Sequence, residues 1–213
     1  MSLAFLSVAA DGAIARSPME RQAAAAGAQF ELRGGWNVAA RMPGEDRSAG
    51  GWADVSHLPK LEIHGRAALD PAGGRATLID GAWWCPLTAE RTLVIGAAAT
   101  ELGERAAGAY VVDVTSAYAG LVLCGPDARE IFARFSAIDV RERSLPIGGL
   151  RPGSVARTPG LLLREGDDRF LILFGWALGE YMWTVVDDAA RPFGAGPLGA
   201  DALEPLAGTA PDA

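Results

Sequence analysis

Two short stretches about sixty residues apart carry the clearest strand patterns of the chain. In the first, Leu61 and Ile63 fall on one face of an extended segment and Glu62 and His64 on the other, the period of two expected of a strand. In the second, Leu121 and Leu123 alternate with Val122 and Cys124, so both faces are apolar, as in a strand lying deeper in the structure. Each stretch follows an Asp-Val-hydroxyl triplet (Asp54-Val55-Ser56 and Asp113-Val114-Thr115) and closes on a glycine, Gly65 or Gly125. After Gly125, Pro126 suits a helix start, Asp127 its first turn, and Ala128, Ile131, Phe132 and Phe135 form an apolar stripe. After Gly65 the matching "RAALDPAGG" is cut by Pro71, leaving room for one or two helical turns. The pattern predicts two strand–turn–helix units of unequal length, of the kind that pair in split β-α-β folds.

The flanking segments add further elements. Ser17, Pro18 and Glu20 have the spacing of a helix cap, first position and capping box, and Gly27 ends the alanine-rich run that follows. "QFELRGGWNVAARMPG" alternates weakly and predicts a hairpin turning at Gly34-Gly35. "GLLLREGDDRFLILFG" predicts a second hairpin around Glu165 to Asp168. "ALGEYMWTVVDDAARP" predicts a helix with Leu178, Tyr181, Val185 and Ala189 on one stripe, stopped before Pro192. Together these give a single layered α+β domain over residues 1–205, with half-repeats at about 52–100 and 109–192 and a disordered tail at 206–213.

Composition narrows the function. Half of the 213 residues are hydrophobic and 21% are charged, which is the profile of a globular protein. The net charge is −7, Lys60 is the single lysine, and no basic run occurs, which argues against a nucleic-acid partner. The opening "MSLAFLSVAADG" has no basic leader and is too short to span a bilayer, so the cytoplasm is the expected location and no membrane partner is expected. Cys85 and Cys124 read as small buried hydrophobes, and no His, Cys or carboxylate cluster has the spacing of a metal site.

Several stretches resemble, in order, the glycine cleavage T protein family, tetrahydrofolate-dependent aminomethyltransferases. They are "SPMERQAAAAGAQFELRGGW" with Gly34, Gly35 and Trp36, then "GGWADVSHLPKLEIHG", "VLCGPDAREIF" and "GAGPLGADAL". The resemblance implies the folate-binding domain of that type: duplicated split β-α-β units, antiparallel sheets and packed helices, without the transferases' C-terminal barrel domain. In size and in its C-terminal half the chain is more similar to the gamma subunit of heterotetrameric sarcosine oxidase. Two departures bear on activity. Trp83, Trp84 and Cys85 fall where the transferases carry the carboxylates that serve the amine, with Asp80 nearby but out of strand phase. The hairpin that holds the pterin-binding Glu in the family is shortened to "REGDDRFLI", where Asp167 is the residue left to stand in for it.

Each candidate has a plain structural alternative. Asp167 and Asp168 are residues any tight hairpin carries, and that reading is preferred. Asp54 and Asp113 can form a functional pair, but Asx turns accepting backbone N–H groups are favoured. Ser56 and His57 are adjacent and point to opposite sides, which excludes a triad. The six tryptophans can wall a pocket for a flat heterocycle, fill the core or face a partner, and adjacent Trp83 and Trp84 are expected to place one ring outside the core. The candidate ligand-binding residues are Asp167, Trp83, Trp84, Tyr118 and Trp176, with no catalytic residue assigned. The resemblance then implies a non-catalytic subunit supporting demethylation of sarcosine or a related N-methyl amine. Tetrahydrofolate is a candidate ligand, flavin is carried on the partner oxidase subunits alone, and the assembly is a hetero-oligomer. The alternative is a compact tetrahydrofolate-dependent aminomethyltransferase, with Asp80 or Asp167 as its carboxylate.

Overall fold

The computed structural model describes residues 12–46, 48–65, 75–97 and 99–203. The N-terminal segment holds β1 (Ala15–Arg16), α1 (Glu20–Ala25), β2 (Gln29–Arg33) and β3 (Trp36–Arg41), and its three strands make a small sheet in the order β1-β3-β2. The β2–β3 hairpin turns at Gly34 and Gly35, with φ of +55° and +81°, a two-residue turn that side chains bearing a Cβ resist. Ser17 is not the helix cap expected from sequence: its Oγ accepts from the Met19 N–H in the turn before α1, whose N-cap is Met19 with no side-chain cap, and Glu20 pairs with Arg16 rather than closing a capping box.

In each copy of the repeat the triplet ends one strand and leads into another. The first copy runs from β4 (Gly51–Asp54) to β5 (Lys60–His64), and the hairpin strands β6 (Thr77–Ile79), β7 (Ala82–Thr88) and β8 (Arg91–Ile95) come after it. The second copy runs from β9 (Tyr110–Asp113) to β10 (Tyr118–Cys124), followed by α2 (Ala128–Ala133). Then come β11 (Leu150–Val155), β12 (Thr158–Gly166), β13 (Arg169–Gly175), α3 (Gly179–Ala190) and β14 (Gly196–Leu198). The two copies cross between sheets in opposite senses. β4 and β10 are antiparallel neighbours in a six-stranded sheet ordered β11-β12-β13-β10-β4-β14, and β5 and β9 are antiparallel neighbours in a five-stranded sheet ordered β6-β7-β8-β5-β9. The strands "GWAD" and "YVVD" before the triplets escaped the sequence reading because each is only four residues long. The short helix expected at residues 66–74 and the tail at 206–213 lie outside the described residues.

Matched hydrogen bonds fix the crossings. Asp54 Oδ1 accepts from Ser56 N–H at 2.9 Å and Asp113 Oδ1 from Thr115 N–H at 2.8 Å, the Asx turns favoured from sequence. Each hydroxyl then reaches the other copy: Gly120 N–H donates to Ser56 Oγ at 3.1 Å, and Lys60 N–H to Thr115 Oγ1 at 3.0 Å. The closing glycines adopt nearly the same backbone, φ +115° at Gly65 and +111° at Gly125.

Four layers result. Leu121, Leu123, Phe170, Ile172 and Phe174 on the outer face of the six-stranded sheet pack against Ile131 and Phe132 of α2 and Met182 and Val186 of α3. Val122, Leu163, Leu171 and Leu173 on its inner face meet Trp83, Cys85, Leu93 and Ile95 of the five-stranded sheet. Leu61, Ile63, Trp84 and Val94 on that sheet's far face are covered by the segment carrying Leu102. The expected stripe of α3 is only partly buried. Gly179, Met182, Val186, Ala189 and Ala190 are buried, whereas Tyr181 is 44% exposed and donates its hydroxyl to the Ala156 carbonyl. The helix is apolar over two adjoining stripes, and Gly179 on the deeper one meets Pro18 so closely that a Cβ would come within 2.6 Å of it. Among the described residues no helix is long and apolar enough to cross a membrane.

Candidate functional site

Where the inner faces of the two large sheets diverge, they leave a cleft of about 380 Å³. Its walls are apolar: Val55 and Leu58 after β4, Trp83 of β7, Ile95 of β8, Val122 of β10 and Leu203. Four polar side chains enter it, Arg33, His57, Glu165 and Arg169. Glu165 continues the inward-facing row of Leu161 and Leu163 along β12. Its side chain is 4% exposed, and its Oε2 accepts from Arg169 Nε at 2.9 Å. Burial pushes the Glu165 carboxyl up despite the opposing pull of Arg169. Trp83 is 6% exposed, and its indole N–H lies beside the Glu165 carboxylate, an interaction that opposes the effect of burial on that carboxyl.

A second, wider groove of about 960 Å³ shares Arg33 and His57 with the cleft and runs along Trp36, Pro59, Val111 and Thr115. Arg33 is held by Glu31 at 2.7 Å and by Asp201 at 2.5 Å, which ties the β2–β3 hairpin to the "GAGPLGADAL" segment. That segment also sets β14 parallel to β4, and Gly199 N–H donates to Glu45 Oε2. The His57 imidazole is pushed down to about 4, chiefly by burial and further by Lys60 and Arg33, so the ring is neutral near pH 7. Ser56 is fully buried with its hydroxyl on the Gly120 backbone, which leaves it no nucleophilic role beside His57.

The sequence-derived candidates separate here. Trp83 lines the cleft, while Trp84, next along the strand, faces the opposite way into the core with Leu61 and Val94. Both rings are buried, so neither stands outside the core as expected, because β7 is covered on both faces. Tyr118 packs at the edge of the inter-sheet core, and Trp176 sits edge-on to Trp36 at 5.7 Å between ring centroids; neither lines the cleft. Asp167 is at the hairpin turn, its side chain 81% exposed and 3.3 Å from Arg164, and it too does not line the cleft. Asp80 occupies the tight β6–β7 turn at φ +51°, exposed and likewise away from the cleft. Glu165 was missed although its signal was present: a charged residue at the next inward position of an otherwise apolar strand face. Burial pushes both the Cys85 and Cys124 thiols up, in keeping with packing roles. Among the described residues no group of His, Cys, Asp and Glu is arranged to hold a metal.

With this architecture in view, the chain's affiliation is clear. Residues 88–207, more than half of the sequence, match the GCVT N-terminal domain, and the protein belongs to that family. Among solved structures it is similar to a chain of the heterotetrameric sarcosine oxidase from Corynebacterium sp. U-96, determined in complex with pyrrole 2-carboxylate. The TM-score is 0.66 and the identity 21%, over 85% of this chain and 97% of that one. It is also similar to the glycine cleavage system aminomethyltransferase T from Bartonella henselae, with a TM-score of 0.67 and 18% identity, over 89% of this chain but 60% of that one. At these identities the likeness is one of fold. No curated protein sequence gives a significant match.

Proposed function

We propose that this protein is a non-catalytic, folate-binding-type subunit of a heteromeric flavoprotein oxidase that demethylates sarcosine or a related N-methyl amine, the flavin being carried by partner subunits. The fold is similar to that of a sarcosine oxidase chain over 97% of that chain's length. The observation that carries this reading is the cleft's own chemistry. An aminomethyltransferase needs a carboxylate available to the amine, and the acidic residue lining this cleft, Glu165, is already engaged by Arg169. Co-expression with the flavoprotein subunits encoded by neighbouring genes tests the proposal. The expected result is one co-eluting, flavin-containing complex that oxidises sarcosine, while the isolated chain turns over neither sarcosine nor an aminomethyl donor. A chain that stays apart from those subunits, while they oxidise sarcosine fully without it, overturns the proposal.

A further inference from the structure

The helical side of the molecule carries a third opening, a hollow of about 530 Å³ between α2, α3 and the β11–β12 turn, which shares no residue with the cleft or the wider groove. Its floor is apolar, formed by Phe135, Val185 and the half-exposed ring of Tyr181. Its rim is basic: Arg134 at the end of α2 and Arg157 in the turn are both exposed. Among the described residues no acid lines the hollow, and neither guanidinium has an ion pair or a hydrogen-bond acceptor. Asp187 and Asp188, the acids of α3 past Val185, are taken by Arg191 at 2.6 and 3.3 Å. In a chain of net charge −7, where Arg21, Arg91 and Arg141 are each matched to a carboxylate, two uncompensated arginines on one rim stand apart. Both are also held in position. Arg134 lies over the Phe193 ring, 5.8 Å from its centroid, which steadies the guanidinium while leaving its N–H donors unused. Arg157 is presented by a strained two-residue hairpin turn, in which Ala156 and Arg157 take left-handed backbone at φ +48° and +63° where Asn-Gly is the ordinary choice. The Ala156 N–H donates to the Phe135 carbonyl, and the Ala156 carbonyl accepts from the Tyr181 hydroxyl, each at 2.9 Å, so the turn is fastened on both sides.

We infer that this hollow is where the flavoprotein partner docks, through an acidic segment that seats an aromatic or aliphatic side chain over Phe135, Tyr181 and Val185 and pairs carboxylates with Arg134 and Arg157. This rests on the subunit reading above and adds the face by which the chain joins its complex. Charge complementarity selects the occupant, since a basic segment would meet two guanidiniums and a neutral one would leave their donors unmatched. Aromatic floor and arginine rim are also the residue types that carry binding energy at protein interfaces, and a rim already fixed in place loses little freedom on docking.

The test is calorimetric titration and co-elution of the full chain with the flavoprotein subunits encoded by neighbouring genes. Arg134→Ala should weaken association about tenfold, and the charge-reversing pair Arg134→Glu with Arg157→Glu about a hundredfold. Arg143→Glu reverses an arginine that is exposed and does not line the hollow, and it should associate as wild type does. Raising sodium chloride from about 50 to about 500 mM should weaken wild type more than the double variant. All three substituted side chains are exposed, so melting temperatures should stay at the wild-type value and a weakened association is local. Undiminished association of the double variant overturns the docking assignment and leaves the subunit reading standing, as does equal weakening by Arg143→Glu. A wild-type chain that does not associate with those subunits overturns both. Dimerisation of the isolated chain that the double variant abolishes would give the hollow to a second copy and overturn the assignment to a flavoprotein.

Discussion

Ser56 and Thr115 place equivalent hydroxyls at equivalent crossings, each accepting a backbone N–H from the other half of the molecule. Ser56→Ala would strand the Gly120 N–H in the core, and Thr115→Ala the Lys60 N–H. Each is expected to cost about 1–3 kcal/mol in urea denaturation, with Thr115→Ser recovering most of the loss. Lys60 gives this region a pH signature. It is fully buried and its Nζ donates to the carbonyls of Ser56 and Leu58 at 2.9 Å each, yet burial pushes its ammonium down to about 8 against the pull of Asp54 and Asp113. The unfolded chain holds that proton until about pH 10.5, so between pH 8 and 10.5 the unfolded state binds more protons and stability rises with pH. Denaturation at pH 8, 9 and 10 should show this rise, up to about 3 kcal/mol in total, and Lys60→Met should abolish it. The Asx turns were legible in the sequence because Asp two residues before a hydroxyl is a local motif. The cleft acid was legible too, in the phase of β12 that sends Glu165 inward and leaves Asp167 outside, but the family's motif pointed to the turn instead.

At the scale of elements, the β12–β13 hairpin is anchored by one buried guanidinium. Arg164 is fully buried and donates to the carbonyls of Leu145, Gly166 and Asp167, so the hairpin turn and the loop before β11 share one fastening. Arg164→Met keeps the bulk and leaves those carbonyls unpaired. It should cost about 3 kcal/mol or more and speed trypsin cleavage at Arg141 and Arg143, whereas Asp167→Asn at the exposed end of the pair should do neither. Long elements with strong periodicity were read well: α2 buries Ala128, Ile131 and Phe132 as its spacing implied. The apolar stripe expected on α3 is partly buried: Ala189 is buried and Leu178 and Val185 pack against the core, whereas Tyr181 is exposed and Gly179, Met182 and Val186 on the adjoining stripe lie deepest, with Gly179 against Pro18. Two adjacent tryptophans said nothing of how many faces of β7 would be covered, since that depends on the segment around Leu102.

For the whole molecule, the two copies of the repeat exchange strands between sheets, and the inter-sheet core draws on both. The six-stranded sheet cannot lose its hold while the five-stranded one stays folded. Calorimetry of the full chain should therefore give a single transition with calorimetric and van't Hoff enthalpies in agreement, and two resolved transitions would show separate bodies. The repeat itself was visible in the residues, but the exchange was not, because no local pattern records which strand a β-strand will neighbour. That reciprocity also sets what either half would lack alone. Without the second copy, the first would have an open sheet edge where β10 now lies beside β4 and a serine hydroxyl with no backbone N–H across from it.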